Sequence, residues 1–188
     1  MKITRVFAMA NKWTFEITSI KELIKRYMGD SAPWVDPFAG MSSPAHIRND
    51  INPTRNAEYH MDALDFMQTL GDEYAAGILY DPPFSTEQLK RSYGDTFAMD
   101  VQNPTADKYQ TGMKREINRV LAPGGYAISL GWNTNGCSMT RRRGGVKRFK
   151  QLEKVEVLVV AHGMIKNDTL VTVEHKAQDR LANHIMEK

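Results

Sequence analysis

The chain has 188 residues, 41% hydrophobic and 25% charged, and its 25 Lys+Arg against 22 Asp+Glu leave a formal charge of +3. This describes one globular domain with ample core, 1–188, and leaves no room for two full domains. A single cysteine, Cys137, excludes a disulfide framework or a multi-thiolate metal site and points to a reducing, cytoplasmic compartment, while no stretch suits a secretion signal or a membrane span.

Ser19 followed by Glu22 forms a capping-box signature ahead of Ile20, Leu23, Ile24 and Tyr27, which predicts a helix over 19–28. Trp34-Val35-Asp36 is a short apolar run ending in an acid, and Pro37-Phe38-Ala39-Gly40 after it reads as a loop, so a strand ends at Asp36. His46 to Asp50 reads as a second, weaker strand, again ending in an acid. Met61, Leu64, Met67 and Leu70 recur at helical intervals, with Gly71 as an expected left-handed cap.

Ala75 to Tyr80 predicts a strand that Pro82 and Pro83 must stop. Tyr109, Met113, Ile117, Val120 and Leu121 share one face of a helix over 105–121, and Tyr126 to Trp132 is then a buried strand. Val155–Ala161 and Thr169–His175 are joined by too few residues for a parallel crossover, so they pair as an antiparallel hairpin. The expected fold class is α/β: a Rossmann-like sandwich on a mostly parallel central sheet with an antiparallel C-terminal hairpin strand. Such sheets bind ligands beyond the carboxyl ends of their strands, where Asp36, Asp50 and Asp81 all fall.

Two further features carry chemistry. Asp81-Pro82-Pro83-Phe84 sets an acid, two rigid prolines and a flat ring at a strand end, which suits a preorganised polar pocket and equally a proline-rich turn. Arg141, Arg142, Arg143, Lys147, Arg148 and Lys150 surround Gly144-Gly145, and taken alone they fit a solvated loop as well as a polyanion contact. The five histidines share no metal-ligand spacing, so no metal is expected. The polar tail, 177–188, fits either a short docked helix or a flexible end.

Asp36-Pro37-Phe38-Ala39-Gly40 and Asp81-Pro82-Pro83-Phe84, in this order and at strand ends, resemble the S-adenosylmethionine-dependent adenine amino-methyltransferases. Within that family the chain looks most like small phage and prokaryotic DNA adenine methyltransferases, and the likeness runs from about Phe7 to about Lys176. The resemblance implies that Asp36, Pro37, Phe38 and Gly40 hold the methionine part of the cofactor, with Lys12, Trp13, Thr14 and Phe15 packing on it. It places Asp50 and Ile51 at the ribose, and Asp62 and Ala63 at the cofactor's adenine. Asp81, also beside the cofactor, and Pro82 would accept the hydrogens of the amino group to be methylated, with Pro83 and Phe84 completing the motif. Trp132 and Asn133 are candidates for the pocket rim, and Arg141, Arg142, Arg143, Lys147 and Arg148 for phosphate contacts.

The sequence departs from the family pattern twice. Only Met41 to Asn49 separate Gly40 from Asp50, which predicts a loop or single turn in place of the first crossover helix. Ser42 stands where the family's loop has a second glycine. The implied reaction is transfer of a methyl group to the 6-amino group of adenine in DNA. RNA adenine, a protein glutamine or a small molecule, and a non-catalytic nucleic-acid-binding subunit are the alternatives. No separate target-recognition domain is expected, so a homodimer is one way to supply sequence choice.

Overall fold

The structure, a computed structural model, describes residues 1–100, 103–132, 136–138, 152–163 and 167–178. Strands β1 (Lys2–Phe7), β2 (Trp34–Asp36), β3 (Ile47–Arg48), β4 (Ala75–Tyr80), β5 (Leu121–Gly131), β6 (Glu153–Ala161) and β7 (Thr169–His175) form one sheet in the order β1-β6-β7-β5-β4-β2-β3. Only β7 runs antiparallel to its neighbours, β5 and β6, as the short connection between the last two strands requires. The expected α/β sandwich with a reversed C-terminal strand is therefore present.

Alternation along the strands feeds a core on each face of the sheet. Helix α1 (Thr18–Met28) buries Ile20, Leu23 and Ile24 against Trp34, Leu79, Ile128 and Val171 on one face. On the other face, α2 (Ala63–Thr69) and α4 (Asp107–Val120) bury Phe66, Met67, Met113 and Ile117 against Val35, Ile78 and Ala127. The indole of Trp34 lies across β4 at Gly77, where an added Cβ would sit 2.2 Å from the ring. That close approach is possible only for glycine.

Several local expectations need correction. Helix α1 starts at Thr18 with Ile17 as its N-cap and no side-chain capping bond, so the Ser19/Glu22 capping box does not form. Ser19 falls inside the first turn, because the preceding 3₁₀ turn (Thr14–Glu16) runs almost directly into the helix. Gly71 does not form a left-handed cap; α2 ends at Leu70 in extended conformation, and positive φ falls at Glu73 instead. Strand β5 begins at Leu121 rather than Tyr126, immediately after α4.

Two elements were not anticipated. Strand β1 is an edge strand parallel to β6, and its partner lies far away in sequence. Helix α3 (Thr86–Asp100), which follows the Asp81-Pro82-Pro83-Phe84 turn, is broken at Gly94, with φ 73° and ψ 174°. The connection from β2 to β3 contains no helix, as the short spacing predicts. Among the described residues no helix is long and apolar enough to cross a membrane.

Candidate active site

The site grows out of three neighbouring strand ends. Asp36 ends β2 and is fully buried; its carboxylate accepts hydrogen bonds from the Phe38 amide at 2.9 Å and the Ser43 hydroxyl at 2.6 Å. Burial pushes this carboxyl up to about 7; the bonds from Ser43 and Phe38 oppose the rise, and the charges of Asp81 and Asp50 add to it. Asp36 thus lies under the loop that follows it and shapes that loop from below.

Gly40, at φ 57°, turns the loop so that its amide donates to Asp50 Oδ2 at 3.0 Å. The other oxygen of Asp50 accepts from the Asn52 amide at 2.9 Å. Burial raises the Asp50 carboxyl, against the amides of Asn52 and Gly40, the Arg55 charge and the Tyr93 hydroxyl. Asn49, just before it, is also fully buried. It donates to the carbonyls of Pro37 and Met61 at 3.1 and 3.0 Å and accepts from the Met61 amide at 3.1 Å. One side chain therefore locks the loop after β2 to the loop before α2.

These loops enclose an open cleft with about 590 Å³ of empty space. Of the residues singled out from sequence, Lys12, Trp13, Thr14, Phe15, Phe38, Gly40, Asp50, Asp81 and Pro83 line it. The Trp13 ring carries two cations, with the Lys12 ammonium 5.0 Å and the Arg55 guanidinium 5.5 Å from its centroid. Asp81 follows β4 and receives a hydrogen bond from the Thr14 hydroxyl, yet burial outweighs that bond and pushes its carboxyl up to about 6. Above that pH it is an anion with acceptor capacity to spare.

A smaller recess adjoins the cleft and shares Phe38, Pro83 and Tyr93 with it. Pro37, Ile51, Asp62 and Ala63, also singled out from sequence, line this recess. Asp62 caps α2: its Oδ1 accepts from the amides of Leu64 at 2.8 Å and Asp65 at 3.4 Å, and from the Tyr109 hydroxyl at 3.0 Å. Its Oδ2 is buried with no hydrogen-bond partner.

Pro82 is buried beneath the turn, and the Phe84 amide donates to Gln88 Oε1 at 2.9 Å. The Phe84 ring tilts at 51° against Trp132, with centroids 5.3 Å apart, and Trp132 is 37% exposed. This tilted aromatic pair offers a partly solvated apolar wall. Asn133, Arg141, Arg142, Arg143, Lys147 and Arg148 lie outside the described residues.

Sequence reasoning missed Arg55, Gln88, Tyr93 and Tyr109, all of which line the two cavities. Tyr93 reaches Asp50 Oδ2 at 3.5 Å from α3, a helix with no marked apolar face to announce it. Tyr109 was visible only as part of the apolar face of α4.

Compared with protein families and with curated proteins, the sequence matches none. Among solved structures the fold is similar to that of the Escherichia coli protein yhhF, a candidate methyltransferase, with a TM-score of 0.51 and 9% identity over 92% of each chain. The chain has the Rossmann-like fold of that methyltransferase structure: a seven-stranded mixed sheet with helices on both faces and β7 reversed.

Proposed function

We propose that the protein is an S-adenosylmethionine-dependent amino-methyltransferase that methylates the exocyclic 6-amino group of adenine in DNA. The observation that carries this reading is Asp81, a half-buried acid just beyond a central strand, which opens into the cleft that Lys12, Trp13, Gly40 and Asp50 also line.

The residues present suit the cofactor. Asp50 is an acceptor for ribose hydroxyls, and Asp62 Oδ2, buried without a partner, lacks the donor that an adenine amino group would bring. Lys12 and Arg55 offer positive charge for a carboxylate at the rim, and Trp13 an apolar wall. When bound, S-adenosylmethionine supplies an electrophilic methyl group.

The lone pair of an adenine amino nitrogen is delocalised into the ring, which makes it a poor nucleophile. Ionised Asp81 and the Pro82 carbonyl, each accepting one amino hydrogen, favour the geometry in which the pair is localised. Phe84 holds the base by stacking, with Trp132 packed against its ring. The proton can leave after transfer, so no strong general base is needed, and buried Cys137, with its thiol well above the usual range, takes no part.

An adenine inside a duplex must be flipped out to reach this site, at about a few kcal/mol. The test is transfer of labelled methyl from S-adenosylmethionine to duplex DNA, single-stranded DNA and RNA in parallel, with nucleoside digestion of the product. Label in N6-methyladenine of DNA supports the reading. Label only in RNA would move the substrate class, and none on any polymer with cofactor binding intact would overturn the nucleic-acid assignment.

A further inference from the structure

We infer that Tyr109 is a positioning residue that makes the recess selective for an amino-bearing ring over its 6-oxo counterpart, by holding Asp62 with one carboxylate oxygen occupied and the other free. The inference rests on the reading of the recess as the site of the cofactor's adenine.

The two oxygens of Asp62 are in opposite situations. Oδ1 accepts from Leu64, Asp65 and Tyr109, while Oδ2 accepts from nothing although it is shut off from water. A buried carboxylate oxygen without a donor is costly, and it persists only where surrounding structure fixes the side chain. Here the cap holds Oδ1 from the backbone side, and the Tyr109 hydroxyl holds it from α4. The same phenol oxygen accepts from the Leu64 amide at 3.1 Å, so its proton is committed to Asp62. Tyr109 is itself 4% exposed and packed in the core, which leaves the carboxylate little freedom to turn.

Apart from Asp62 and the two tyrosines, Tyr93 and Tyr109, the recess is lined by apolar residues, Ile51, Met61 and Pro104 among them. A ring entering it meets one strong polar demand, for a hydrogen-bond donor. A 6-amino group meets that demand, whereas a 6-oxo group sets an oxygen against an oxygen. Sites with a fixed buried acceptor reject the mismatched group strongly, because both partners are left unpaired.

Two variants separate this role from simple support of the fold. Tyr109→Phe leaves the Leu64 amide bonded to Asp62 Oδ1 at 2.8 Å, so no backbone donor is orphaned. Asp62→Asn keeps an oxygen for the cap and for Tyr109 and turns the free acceptor into a donor. The measurement is calorimetric binding of S-adenosylhomocysteine and S-inosylhomocysteine to the full chain and to both variants. The wild type is expected to favour the adenosyl compound by roughly tenfold or more, Tyr109→Phe to lose about threefold or more of that ratio, and Asp62→Asn to bring it to about one or invert it. A preference that survives unchanged in Tyr109→Phe would overturn the positioning role. Equal binding of both compounds by the wild type would overturn the selectivity, and failure of the wild type to bind either would overturn the reading of the recess itself.

Discussion

Buried acids occur in two regions of this molecule, with opposite surroundings. Glu156, on β6, is 4% exposed and is met by Arg26 through two bonds of 2.8 Å, by Tyr27 at 2.7 Å and by Lys2 at 3.3 Å. Burial alone would raise it, but the hydrogen bonds of Tyr27 and Lys2 and the charge of Arg26 win and hold its carboxyl below the usual range. At the carboxyl ends of β2, β3 and β4, desolvation outweighs the hydrogen bonds of buried Asp36 and Asp50 and of half-buried Asp81, and all three are pushed up. A buried acid that the fold satisfies clamps the fold, here α1 to β6 and β1. Acids whose desolvation outweighs their bonds make the fold less stable, and Asp50 and Asp81, which line the cleft, mark where a ligand can add partners.

Removing an acid from each region separates the two roles. Asp50→Ala deletes the proposed ribose acceptor and frees the Gly40 amide, so affinity for S-adenosylhomocysteine should fall by roughly 10²-fold in calorimetry. Unchanged affinity would detach Asp50 from the cofactor. Glu156→Ala should instead cost about 2 kcal/mol of unfolding free energy in urea, since Arg26 and Lys2 can turn to solvent, while leaving that affinity in place.

The raised acids also set the response to pH. With Asp36 near 7 folded against an ordinary 3.8, the folded chain holds an extra proton between about pH 4 and 7, so this group withdraws stability as pH rises through that window. Asp36→Asn should flatten the fall and add about 1–2 kcal/mol at pH 8, read from urea unfolding at several pH values. A steeper fall in the variant would reverse the assignment. The ionisation of Asp81 near 6 predicts a kcat/KM that drops about tenfold per unit below that pH and is level above it. Thr14→Val removes a bond that favours the anion and should move this limb to higher pH by roughly half a unit or less.

Much of this was legible in the chain. Asp36, Asp50 and Asp81 could be placed at strand ends because each closes or follows an apolar run, and the two Pro-containing motifs tied those ends to a chemistry. Strand β1 was not legible, since Lys2 to Phe7 carries little burial of its own and acquires strand structure only by pairing with β6. The tyrosines of the site were hidden for a related reason. Tyr109 lies on an apolar helical face, and only the packing of α4 on α2 brings its hydroxyl to Asp62. The Ser19/Glu22 pattern misled because a capping box needs the serine just outside the helix, whereas the chain is already helical there.

The most direct test of the account sets one acid from each region side by side in a methyl-transfer assay. Wild type, Glu156→Ala and Asp81→Ala would each receive labelled S-adenosylmethionine and unmethylated DNA, with binding of S-adenosylhomocysteine measured on the same samples. The account predicts N6-methyladenine from the first two and a loss of at least about 10²-fold in Asp81→Ala, with all three binding the cofactor product alike. Transfer that survives in Asp81→Ala would contradict it.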